Sequence, residues 1–122
     1  MHRERFRELV AEALDEIPEP FRDHLAAVEV VIEDEPSAGV LREMGLDPRR
    51  DSLYGLYEGT PLSERSVADT PVLPDRITIY QRPLVREFRT PAAIRREIRK
   101  TVVHELGHVF GLDDDDIEAE GY

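Results

Sequence analysis

Residues 90–110 leave this chain the fewest choices. Thr90 offers a capping hydroxyl and Pro91 stands in the first helical position, where its missing N–H costs nothing. Beyond them Ile94, Ile98, Val102 and Leu106 recur at four-residue spacing, with Val103 and Val109 widening the stripe. This periodicity predicts a long buried helix that runs to about Phe110, and Gly111 follows where such a helix has to stop. Whatever else the chain does, it must pack its other elements around that rod.

The last two turns of the same helix carry His104, Glu105 and His108. Residues four apart lie on one helix face with Cβ atoms about 5–6 Å apart, so the two imidazoles converge on one point without help from the fold. Two histidines so placed, with a glutamate directly after the first, are the pattern in which a metal is bound and the carboxylate serves as base toward a water molecule. From the chain's own residue frequencies HExxH arises by chance roughly 0.02 times in this length. Gly111 sharpens the case, because the turn it permits lets Asp114 swing back and offer a carboxylate as third ligand. Adding the Gly and the Asp at their offsets lowers the chance expectation to about 0.0001. Asp113, Asp115 and Asp116 lie within reach of small register changes, so the choice of third ligand stays open at this point.

The whole string HExxHxxGxxD resembles the zincin superfamily of metallopeptidases, in its metzincin-like branch. Size and layout are similar to the small bacterial family described as minimal zincins. That resemblance implies one Zn²⁺ held by His104, His108 and Asp114, with Glu105 activating water for hydrolysis of a peptide or protein substrate. It also implies an α+β fold, a small mixed sheet of three to four strands packed against an N-terminal helix and the long C-terminal helix. The larger metzincins place a Met-containing turn after the third ligand, whereas the methionines here are Met1 and Met44. In zincins the substrate extends along a sheet edge beside the site, and by resemblance the segment 76–81 is the expected edge.

Two rival readings use the same residues. The bacterial rRNA-maturation endonucleases are small metal-dependent RNA hydrolases, but their motif lacks a Glu after the first His and ends in a third His. The other rival is a metal-binding interaction module without catalysis, against which an intact Glu105 argues.

Elsewhere, apolar residues at three- and four-residue spacing predict an amphipathic helix over 3–17, ended by Pro18 and Pro20. Strands are expected over 26–32, 53–58 and 76–81, and a short helix over 37–44 closed by Gly45. The connection 59–74 is long and proline-rich. Tyr54, Tyr57 and Tyr80 are candidates to stabilise an oxyanion, although strand tyrosines usually pack. His2 and His24 have no ligand spacing and are expected on the surface.

At 122 residues the chain is read as one domain, 1–122, with an acidic tail over 115–122 that has little internal reason to fold. It has no cysteine, which rules out thiolate ligands, a disulfide frame and a cysteine nucleophile. The formal charge of −11 repels phosphate backbones and argues against a nucleic-acid partner. One basic stretch, Arg82, Arg86, Arg89, Arg95, Arg96, Arg99 and Lys100, runs against that balance. With a charged N-terminus and no apolar run of membrane length, the expectation is a cytoplasmic protein with no membrane partner. The oligomeric state cannot be read from these residues.

Overall fold

The computed structural model describes residues 1–59 and 75–122, so the long connection expected over 59–74 lies, from residue 60 on, outside them. The described residues form six helices and three strands in the order α1 (Arg3–Asp15), α2 (Phe21–Leu25), β1 (Val28–Glu33), α3 (Ala38–Glu43), β2 (Gly55–Glu58), β3 (Asp75–Tyr80), α4 (Gln81–Glu87), α5 (Pro91–Val109) and α6 (Asp114–Ala119). This is the α+β architecture expected of a zincin-like chain, with a three-stranded mixed sheet. None of the described helices is long and apolar enough to cross a membrane.

The sheet order is β1-β3-β2. β1 runs parallel to β3 from the Val28–Asp75 pair to the Glu33–Tyr80 pair, and β2 runs antiparallel to β3 from Gly55–Ile79 to Glu58–Arg76. The segment expected to be the exposed edge is therefore the central strand. Its burial explains why: Ile77, Thr78, Ile79 and Tyr80 are all buried in succession, as a strand flanked on both sides requires. The edge next to the long helix is β2, and Gln81 leaves the sheet to open α4.

The core lies between the sheet, α1 and α5. Phe6, Leu9, Val10 and Ala13 of α1 pack against Ile94, Ile98, Val102 and Val103 of α5 and against Ile77 and Ile79. α5 begins as expected, the Thr90 hydroxyl accepting from Ala93 N–H at 3.1 Å ahead of Pro91. It ends in a Schellman turn: Leu112 N–H donates to Gly107 C=O at 2.9 Å, Gly111 N–H donates to His108 C=O at 3.0 Å, and Gly111 takes a φ of +82° that favours glycine. The expected stripe is buried along its length except at its last member, Val109, which is 43% exposed.

Three short helices are additions to the expected elements. α2 and α4 are too short to display a periodic stripe; α2 is held by buried Phe21, and α4 by Gln81, Pro83 and Leu84, all buried. α6 occupies the acidic run that had no evident reason to fold. Its reason is twofold: Asp113 and Asp116 form a reciprocal capping box, and Ile117 is buried against α5.

Candidate metal and catalytic site

The site is built on the last two turns of α5 and closed by the first turn of α6. His104 and His108 share one face of α5, the first largely covered at 13% side-chain exposure and the second open at 45%. Asp114 is the first residue of α6, and its Oδ1 lies 2.9 Å from His104 Nδ1 and 2.8 Å from His108 Nε2. These contacts hold the Asp114 carboxyl below the usual carboxylate range. The outer nitrogen of His104, Nε2, lies 3.2 Å from the Tyr122 backbone carbonyl oxygen.

The path from helix to carboxylate is fixed at each step. Gly111 turns the chain, the Asp113 carboxylate accepts from Asp116 N–H at 2.8 Å, and the Asp116 carboxylate accepts from Asp113 N–H at 3.1 Å. Ile117 then seats over Gly107, where a Cβ would stand 2.9 Å from Ile117 Cγ1. Of the four consecutive aspartates, two are spent on the cap and Asp114 faces both imidazoles.

The donor chemistry suits zinc, with two imidazole nitrogens and a carboxylate oxygen meeting at one point and no sulfur. Here the three groups are paired by hydrogen bonds, and among the described residues no three His, Asp or Glu side chains take the open spacing of a metal cage. Zinc bonds of about 2.0–2.2 Å place tetrahedral donors about 3.3 Å apart. The observed separations fall short by roughly half an ångström, within the reach of side-chain torsions on an aspartate that is 62% exposed. In donor type the three residues fit the ion.

Glu105 points to the opposite wall, toward β2. Its carboxylate accepts a hydrogen bond from the Tyr57 backbone N–H. Burial pushes its pKa above the ordinary carboxylate value, opposed by the charge of His108 and by that hydrogen bond. Between β2 and α5 runs a cleft of about 250 Å³, with Leu53, Tyr54 and Gly55 on one wall and Thr101, His104, Glu105 and His108 on the other. Tyr80 N–H donates to Tyr54 C=O at 2.9 Å, so residues 54 and 56 face the ladder, while Gly55 and Tyr57 turn their backbone groups away from β3.

The three tyrosines take different places. Tyr80 is buried and packs, Tyr54 lines the cleft with its ring against Phe88, and the Tyr57 hydroxyl donates to Asp75 Oδ2 at 2.5 Å. Desolvation, followed by the charges of Glu87 and Glu97, raises the pKa of Tyr54. His24, expected on the surface, is instead half-buried: its Nε2 lies 3.2 Å from the Tyr57 hydroxyl and its ring packs on Phe110. Tyr57 lies 33 residues away, so no local spacing announced this contact.

Residues 25–122 match a family model described as zincin-like metallopeptidase. The chain belongs to the zincin-like metallopeptidases. The matched range takes in all three strands, the long helix and α6, and leaves outside it α1, which covers the buried face of that helix. No curated protein matches the sequence. Membership places the chain among metallopeptidase-type proteins and accords with a histidine pair mounted at the end of a buried helix beside a sheet edge.

Proposed function

We propose that this chain is a zinc-dependent peptidase in which His104, His108 and Asp114 hold the ion and Glu105 is the general base. The observation that carries the proposal is the meeting of Asp114 Oδ1 with both imidazoles one residue away from a half-buried glutamate. When bound, zinc supplies Lewis acidity, which polarises a carbonyl and brings the pKa of water down to about 7. Glu105 accepts a proton from water at its carboxylate and delivers it to the departing amine. Burial raises its pKa, the direction that helps a carboxylate both take and return a proton. Tyr57 N–H orients the carboxylate, and the outward backbone of β2 offers an extended peptide a strand to pair with.

Two observations weigh against RNA hydrolysis: the presence of Glu105 and the net charge of −11, which repels a polyphosphate substrate. An inactive metal module is separated by experiment. Protein purified without chelator is assayed for metal by elemental mass spectrometry, and a diverse peptide library is screened for cleavage. About one zinc per chain is expected, absent in His104→Ala and reduced in Asp114→Ala, while Glu105→Ala keeps zinc and loses cleavage. No zinc in the wild type after reconstitution would sink the proposal, and a zinc-loaded wild type that cuts nothing leaves the interaction module as the reading.

A further inference from the structure

Lys100 and Glu97 stand on the exposed face of α5 ahead of the paired histidines, where they line both the cleft and an adjoining cavity of about 220 Å³. Its lining includes apolar Phe88, Ala93 and Val103 together with Arg96, Glu97 and Lys100. Three members of the basic stretch are paired. Arg95 pairs with Glu12 and Glu16, Arg99 with Glu16, and Arg86 with Glu35. Arg82, Arg89, Arg96 and Lys100 have no ion-pair partner among the described residues, and Arg96 and Lys100 stand one helical turn apart. Of these four, Arg96 and Lys100 are the ones that line the cavity adjoining the cleft, so their charge is available to a ligand there.

Position turns that charge into selectivity. Lys100 lies four residues before His104, about 6 Å along the helix axis. An extended peptide advances about 3.3 Å per residue, so a group reaching Lys100 belongs to a residue one or two places from the bond under attack. The apolar part of the lining accommodates methylene groups, and the cations take a carboxylate. Glu97 is the opposing charge: it lines the same two cavities, three residues from Lys100, and makes no ion pair with it.

We propose that Arg96 and Lys100 form an anionic subsite of the cleft, so that the preferred peptides carry an acidic side chain one or two residues from the cleaved bond, with Lys100 as its main contact. This rests on the peptidase reading for its purpose, and the test separates the two. Acetylated peptides of one frame, with Glu, Gln or Lys at each position around the bond, are bound to zinc-loaded Glu105→Ala protein by fluorescence anisotropy and offered to the wild type for cleavage.

At one position the Glu peptide is expected to bind about 2- to 5-fold tighter than its Gln counterpart, the range of an exposed charge pair. That preference is lost in Lys100→Gln, turns toward the Lys peptide in Lys100→Glu, grows in Glu97→Gln and shrinks as salt is raised. Cleavage without acidic preference, or a preference unchanged in Lys100→Gln, overturns the subsite and leaves the peptidase standing. Acid-selective binding without cleavage by the wild type overturns the peptidase and leaves the subsite standing. A protein that binds none of the peptides overturns both.

Discussion

Ile117 fills a notch in the site helix that exists because residue 107 is glycine; a Cβ there would lie 2.9 Å from Ile117 Cγ1 and closer still to its Cδ1. This one contact seats α6, and α6 carries the carboxylate that faces both histidines. Gly107→Ala is therefore expected to lower zinc affinity although it touches no donor. Forcing a methyl into a filled site costs typically 1–3 kcal/mol, and displaced supporting groups weaken metal binding about 10- to 100-fold. Competition against a chelator of known affinity, alongside a melting curve, checks both. A variant that loses stability but keeps full zinc affinity would separate α6 from the site.

The four aspartates differ in what they do, and single substitutions sort them. Asp113→Ala removes a cap worth about 1 kcal/mol and loosens α6, so zinc affinity falls modestly with stability. Asp114→Asn removes a ligand charge and is expected to lower affinity more than the roughly 100-fold ceiling of a supporting partner. Asp115→Asn changes neither. Equal losses at 114 and 115 would mean that the register of the third ligand is not the one described.

Much of this site was legible from local spacing alone. A histidine pair four residues apart needs only a helix to converge, and Thr90, Pro91 and Gly111 mark the two ends of that helix. What escaped was tertiary. The Asp113–Asp116 capping pair was present in the string, but an acidic run reads as a solvated tail until Ile117 is seen to have a place to go. The edge expected at 76–81 rests on resemblance alone; strand patterns report burial and not neighbours, so the order β1-β3-β2, which makes β2 the edge, is not readable from them. The contact of His24 with Tyr57 joins two segments that nothing in the chain's periodicity links.

Glu105 gives a pH dependence with a definite sign. Folding raises its pKa, chiefly through burial, so the folded chain favours the protonated acid. In the metal-free protein, stability therefore falls as pH rises through the folded pKa, and the loss disappears below the unfolded value, 4.5. Glu105→Gln keeps the shape and an acceptor for Tyr57 N–H without the charge. Its metal-free melting temperature is expected to exceed that of the wild type by a few degrees at about pH 8 and to match it at about pH 4. An advantage that persists unchanged in acid would assign the effect to packing.

The approach of β2 to α5 supplies the last expectation, because it sets where Tyr57 N–H meets Glu105. Gly55 makes that approach possible: an added Cβ would lie 2.8 Å from Thr101 Cγ2 and 3.0 Å from the Thr78 backbone oxygen. One neighbour is the end of a side chain and the other is backbone in the central strand, so relief has to come mainly from shifting β2 outward. Gly55→Ala is expected to cost about 1–3 kcal/mol by denaturant titration, and to lower peptidase activity more than zinc affinity, since it moves the base's hydrogen-bond donor and none of the proposed ligands. Thr101→Ser removes the Cγ2 while leaving the Thr78 oxygen in place. The double variant should thus recover part of the lost stability and activity, a coupling measured directly by the double-mutant cycle. Strict additivity would show that the Thr101 contact does not govern the spacing of strand and helix.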